Sequence, residues 1–316
     1  MALDRLDGML AKVESVYGTD AAPIAADDGV LVNDRIWTPA NPTHAFENTR
    51  EDAASGTLFS LFPATPSGRI VEFEVSWEAR GAGAAYSASI LPEADALLQA
   101  GALARVDDFT GGTENVTYSP ADSGHKSATV YLYAGGNLYK IVGVRTRFRI
   151  PLVAGGRSTI TFACQGIMIA APAVGALPSI TYDTTIAPPS VNMSLDVGGG
   201  TWSPAAFRAE LDGGQAMERS DSLNAAEGVE SFDIVGFDPI LTLNARTTAL
   251  ATYDPYADVR ARTTRALAFQ AGTVQYNKFD LAVVDAYVRD PSHSVDAGQV
   301  AWDLEYILQD YALKFN

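Results

Sequence analysis

The chain carries one cysteine and three histidines in 316 residues, and each scarcity removes a class of function. With Cys164 alone, no disulfide forms within one chain, so a small disulfide-stapled scaffold is excluded. A reducing cytoplasm, or a particle assembled there, is the setting this implies. Alternation of Ile160, Phe162 and Cys164 in "STITFACQGIM" places the thiol on a buried strand face as a packing residue. The histidines, His44, His125 and His293, are far apart in loop-like contexts and no pair has ligand spacing, so no zinc site is expected. There is no P-loop, no G-x-G-x-x-G after a strand, no G-x-S-x-G elbow and no H-E-x-x-H. Ser123-Gly124-His125-Lys126 fits S-x-x-K, yet it lies in a Pro/Gly-flanked loop without companion motifs and reads as coincidence. Asp107, Asp108 and Glu114 miss the spacing of a calcium loop and read as an acidic turn. The expectation is a protein that is not an enzyme and holds no cofactor or metal.

Positive charge is also scarce. Lys and Arg total 22 against 38 Asp and Glu, a formal charge of −16. Such a surface repels nucleic-acid phosphate and anionic lipid, which argues against ordinary DNA binding but permits DNA to slide past without sticking. Long apolar runs are missing too: "GIMIAAPAVGAL" is short and broken by Pro172, so no membrane span is expected. "MALDRLDGMLAKVES" has charges at Asp4, Arg5, Asp7 and Lys12 and no apolar h-region, so no signal peptide is expected.

What the chain does have is period-2 alternation. Apolar residues make up 47% and charged ones 19%, enough for a real core. In "RIVEFEVSWEAR", Val71, Phe73, Val75 and Trp77 share one face, and Glu72, Glu74, Ser76 and Glu78 the other. "SATVYLYAGGNLYKIVGVRTRFRIPL" reads as a hairpin turned at Gly135-Gly136-Asn137 followed by a long strand. "STITFAC", "VESFDIVGF", "RALAFQAG", "FDLAVVDAYVR" and "QVAWDLEYIL" continue the pattern, with Gly, Asn and Pro clusters between them. This is an antiparallel β protein. Two segments read as helices: "LPEADALLQAGALARV" from Pro92, and "YDPYADVRART", where Asp254 caps and Pro255 opens the first turn.

The Pro-, Ala- and Thr-rich stretch 171–190 divides the chain into a first β domain, 26–170, and a second, 191–316, behind an N-terminal arm, 1–25. Both run strands, polar loop, strand, helix, hairpin, long strand and closing strand. "YAGGNLYK" and "QAGTVQYNK" share an Ala-Gly turn followed by a Tyr, and the pattern implies internal duplication. One polar pattern stands out. Arg145, Arg147 and Arg149 share a strand face opposite in sign to the Glu72, Glu74 and Glu78 stripe. Either these edges fix the register between subunits, or they form a cross-strand ladder worth roughly 0–1 kcal/mol per pair.

With the arm, the helices and the linker taken together, the chain resembles the tail tube (major tail) proteins of long, non-contractile-tailed bacteriophages. "KVESVYGTDAAPIAADDGVLV" is similar to their K-x-E-x-x-Y-G-T-x-x-x-P start; "SILPEADALLQAGAL", "VESFDIVGFDP", "TTALATYDPYADVRARTTRALAF" and the long hairpin also resemble theirs. The resemblance implies two tandem β-sandwich or barrel domains, each with one flanking helix. It also implies self-association into a ring of three subunits with pseudo-sixfold symmetry, stacked into a virion tail tube and assembled in the host cytoplasm. Expected partners are further copies and other tail proteins such as tape measure, terminator and distal tail proteins. DNA passes through the lumen without specific binding, and no membrane is involved. The arm, with Lys12, Glu14 and Tyr17, and the loop at 38–68 are expected to reach an adjacent subunit and order only there. The competing reading is a β-sandwich binding module for carbohydrate or a surface receptor, with Trp37, Trp202, Tyr253 and Tyr256 as contact residues.

Overall fold

A computed structural model describes residues 6–33, 45–47, 65–67, 69–170, 172–225 and 227–316. The chain is mainly β, with 53% strand against 5% helix, and its sheets are antiparallel. Strand β1 (Leu6–Val13) is followed by the short β2 (Ala45–Glu47) and β3 (Thr65–Ser67), then β4 (Ile70–Glu78) and helix α1 (Asp95–Ala100). Next come β5 (Leu103–Asp108), β6 (Asn115–Pro120), β7 (Ala128–Ala134), β8 (Asn137–Val153), β9 (Thr159–Met168) and β10 (Ala173–Val174). The second half holds β11 (Ser194–Val197), β12 (Ala206–Asp212), β13 (Gln215–Asp221), β14 (Val229–Phe237), β15 (Ile240–Arg246) and helix α2 (Pro255–Ala261). It ends with β16 (Thr264–Ala271), β17 (Phe279–Asp296), β18 (Gln299–Leu308) and β19 (Ala312–Phe315).

Local sequence explains most of these elements. Strands β4 and β9 alternate buried and exposed side chains, as a half-buried strand must. Ala134 pairs with Asn137, so Gly135 and Gly136 form a two-residue turn. Their φ angles of 58° and 79° are the doubly positive pair that a type I′ hairpin requires. The Asp254 side chain accepts hydrogen bonds from the N–H groups of Tyr256 and Ala257, with Pro255 in the first turn of α2. Helix α1 starts three residues later than Pro92 suggests, at Asp95, and has no side-chain cap.

Among the described residues, fifteen strands join in one sheet. In the first half the neighbours run β1, β7, β8, β9, β4; in the second they run β11, β16, β17, β18, β15, β12. Two joints connect the halves. Strand β12 pairs with Arg149–Val153 of β8, and β19 pairs with both β17 and β6. The cores are correspondingly continuous. Phe315 sets its ring centroid 5.9 Å from Trp77, 6.0 Å from Tyr118 and 5.4 Å from Phe279, so one C-terminal side chain is buried by both halves. Cys164 lies in this core, and burial pushes its thiol far above the usual range. An inert packing residue is the result.

One expectation is corrected. The arm does not stand apart from the fold: β1 pairs with β7 over Leu6–Val13, and Met9, Leu10 and Ala11 are core residues. Alternating apolar residues, Met9 and Ala11 on one face and Leu10 on the other, give it a strand's worth of burial that its charged flanks conceal. Within the 171–190 stretch, the chain is held by backbone and side-chain hydrogen bonds. Thr181 N–H bonds to Ala25 O, Asp183 N–H to Glu93, and Ser190 exchanges backbone bonds with Gly155 and Gly156. Of the loop at 38–68, only the β2–β3 pairing lies within the described residues.

Candidate functional site

Along one edge of β8, residues Asn137–Val144 pair with β7 and Arg149–Val153 with β12. The gap between them is filled by the hairpin β13–β14, a separate two-stranded sheet. There Phe148 bonds through its N–H to Gln215 Oε1 and through its carbonyl to Gly213 N–H. Arg145 donates to the carbonyls of Phe232 and Lys126. Its guanidinium lies 5.5 Å from the Tyr17 ring centroid. The Tyr17 hydroxyl donates to Gly143 O at 3.2 Å and accepts from Phe232 N–H at 2.7 Å. Burial holds the phenol above its ordinary pKa and Arg145 below its own, opposed at Arg145 by Tyr17, Asp233 and Glu14.

Beneath this contact sits Glu14, buried and fully occupied. Its carboxylate accepts from Gly18 N–H, Gly143 N–H, Ser127 Oγ and Thr129 Oγ1 at 2.5–2.9 Å. A buried carboxylate is tolerated only when donors replace the lost water. Gly143, at φ 61°, supplies one of those donors from a bulge in β8. A Cβ there would meet the Tyr17 ring at 2.8 Å, so the position requires glycine on both counts. Lys12 pairs with Asp28 at 3.3 Å. The Lys12, Glu14 and Tyr17 positions, expected to contact a neighbouring subunit, make these contacts within the chain.

The second feature is a polar sheet face. Strands β4, β9, β8, β12, β15, β18 and β17 lie side by side. Register carries one line across them: Glu74, Ala163 and Arg147 in the first half, then Arg149, Asp212 and Ile240 over the joint. The same face continues through Thr242, Glu305 and Arg289. Carboxylates outnumber arginines on the outward face of these seven strands, with Arg145 withdrawn into the hairpin contact. Most have partners on the face, several of them across strands. Arg147 and Arg149 both reach Asp212, at 2.6 and 3.2 Å, directly over the joint between the halves. Arg208 pairs with Glu210, Arg289 with Glu305, Arg157 with Glu78 and Gln165 with Glu72. Burial alone would raise the Asp212 carboxyl, but the Arg147 hydrogen bond, the Gly214 N–H and the two arginine charges outweigh it and hold it low.

The Arg and Glu stripes therefore do share one face, as their alternation predicts, but with β9 between them. They form part of an intramolecular ladder, and the partner of Arg147 and Arg149 is Asp212 of the second half. Sequence reasoning missed Asp212, Glu210 and Arg208. Nothing in "RAELDGG" says which strand it pairs with, and only the register against β8 gives them a role. Glu74 makes no ion pair among the described residues and lines a shallow recess with Arg147, Arg149 and Glu210.

Of the four aromatic residues named for a binding module, two are buried. Trp202 and Tyr253 stack on each other with centroids 4.4 Å apart and are buried. Tyr256 packs on Trp302, and Trp37 lies outside the described residues. His125 is engaged with Ala121 O, and His293 with Tyr256 and the Trp302 ring; His44 is outside the described residues. No cluster able to hold a metal ion occurs among the described residues, and none of their helices is long and apolar enough to cross a membrane. Glu114 accepts from Tyr276 and Gly112, and Asp108 from Thr110, as an acidic turn would. Comparison with known protein families and with curated proteins finds no match.

Proposed function

We propose that the chain is a structural subunit of a phage tail tube, with no catalytic role, and that its seven-strand polar face lines the conduit. The observation that carries this reading is the repeated strand order. In each half a first strand pairs with a hairpin, the hairpin's long second strand pairs with a closing strand, and the closing strand pairs with the strand that precedes the helix. The two halves then count as two copies of one plan, duplicated and diverged. Their joint at β8 and β12 is a lateral contact of the kind that a ring would repeat. Three chains supply six copies, and a closed head-to-tail ring consumes its lateral edges.

The chemistry of the face suits passage rather than capture. Carboxylates outnumber arginines, and the arginines are held by intramolecular partners, so phosphate meets no array of free cations. Further copies of the chain and other tail proteins (tape measure, terminator and distal tail proteins) are the proposed partners, in a virion tail assembled in the host cytoplasm. Negative-stain microscopy of purified protein over a concentration series tests the reading. Rings with threefold averaging and six lobes are expected. A monomer at every concentration overturns it, and rings with true sixfold symmetry overturn the trimer.

A further inference from the structure

We propose that Asp280 and Asn316 form a proton-binding clasp across β17 and the end of β19. In acid, Asp280 Oδ1 takes up a proton and donates it in a hydrogen bond to Asn316 Oδ1. Half of this clasp is already made, because Asn316 Nδ2 donates to Asp280 Oδ2 at 2.8 Å. One oxygen is left over on each side chain, Asp280 Oδ1 and Asn316 Oδ1. Both are closed to solvent, and neither meets a donor among the described residues. A single hydrogen between them satisfies both. An ionised carboxylate has none to give, whereas a carboxylic acid carries one donor. A proton from solvent, added to Oδ1, completes a paired acid–amide ring of two hydrogen bonds.

The surroundings favour the acid form. The charged groups facing Asp280 are Lys314, its partner on β19, and Lys278, at the approach to its own strand. On the other side, β16 sets the uncharged Gln270 opposite it. Both lysines and the Asn316 hydrogen bond support the carboxylate. Burial outweighs all three and holds the Asp280 carboxyl above its usual range. Two neighbouring ammonium groups also disfavour a metal cation at the orphan oxygens, which leaves the proton as their occupant.

The clasp sits at one of the two joints between the halves. Strand β19 pairs with β17 over Phe279–Ala282 and with β6 of the first half. Asn316 follows Phe315, the side chain buried by both halves, and its backbone exchanges hydrogen bonds with Lys278. A second side-chain bond here fastens the strand that holds the halves together. The other joint responds in the opposite sense. There the Asp212 carboxyl is held below its usual range by Arg147 and Arg149 over β8 and β12. Acid therefore removes a tie at β8–β12 and adds one at β17–β19. This inference stands on the clasp geometry and does not depend on the tail-tube reading.

Asp280→Asn tests the clasp, because the amide permanently mimics the protonated acid, donating to Asn316 Oδ1 and accepting from Nδ2. The folded-state pKa of Asp280 is raised. The stabilising contribution of its acid form is therefore full below the unfolded value of about 4 and is lost as pH rises through the folded value. D280N is expected to melt a few degrees above wild type at about pH 7, with a gap that closes towards about pH 4. Asp122→Asn, at an exposed loop position, controls for the loss of one negative charge. In wild type, side-chain NMR follows the Asp280 carboxyl and the Asn316 amide through one titration. A shared midpoint above about 4 is the expected result. The clasp is overturned by a D280N that melts no higher than D122N at neutral pH. It is equally overturned by an Asp280 midpoint at or below about 4, or by an Asn316 amide that does not follow it.

Discussion

The Tyr17 hydroxyl accepts a hydrogen bond from the backbone N–H of Phe232 at 2.7 Å, joining residues 215 positions apart. One phenol thereby fastens the β13–β14 hairpin of the second half to the bulge of β8 in the first. Replacing it with phenylalanine leaves the ring in place over Arg145 but takes the hydroxyl partner away from the Phe232 N–H and the Gly143 carbonyl. Tyr17→Phe is expected to cost about 1–3 kcal/mol. Native-state hydrogen exchange at Phe232 reports it, with faster exchange there than in β18. Unaltered exchange would mean that the hairpin is held by its apolar residues alone.

Glu14 carries a larger share. Its four donors, two of them backbone N–H groups, have no water to turn to when the carboxylate is removed. Glu14→Ala is expected to destabilise by about 3–5 kcal/mol, the range for stripping one side of a buried charged network. Glu14→Gln is expected to lose less, about 1–3 kcal/mol, because one amide oxygen still accepts. Denaturant melts of both variants check the order.

Deleting residues 1–13 removes the whole of β1 and exposes the outer edge of β7, whose seven side chains are all buried. Loss of cooperative thermal unfolding and aggregation are the expected outcomes. A truncated chain that melts like the parent would place β1 outside the cooperative fold.

The joint over β8 and β12 is expected to respond to acid. The folded-state pKa of Asp212 is held below its ordinary value. Its contribution is therefore full above the unfolded value of about 4 and is lost as pH falls through the depressed folded value. Asp212→Asn is expected to cost roughly 1 kcal/mol at neutral pH, since Arg147 and Arg149 are half exposed and well screened. Comparing melts at pH 7 and pH 3 should show a wild-type-to-variant gap that narrows in acid.

A gel-shift titration at about 50 mM salt checks the chemistry of the polar face. No retained duplex DNA is expected, because paired arginines release few counterions. Stoichiometric, salt-sensitive retention would convert the proposed conduit into a gripping surface.

Much of this was legible in sequence because it is local. The Gly135-Gly136 turn, the Asp254-Pro255 helix start and the alternation of β4 each follow from a few adjacent residues, and Cys164 falls where its neighbours place it. The site was legible only by half. Alternation put Arg145, Arg147 and Arg149 on one face, but a bulge at Gly143 and a hairpin from the far half of the chain turn Arg145 into a buried tie while its two neighbours remain solvated. The Lys12-x-Glu14-x-x-Tyr17 pattern looked like an exposed arm because its residues are polar. Glu14 and Tyr17 take most of their donors and acceptors from Ser127, Thr129, Gly143 and Phe232, at separations no local pattern encodes.

Cys164 gives the molecule an internal clock. It is the single thiol of the chain and is enclosed in the β9 layer between β4 and β8. A small thiol reagent reaches it only when that layer parts, so the labelling rate counts openings of the sheet behind the polar face, with no introduced probe.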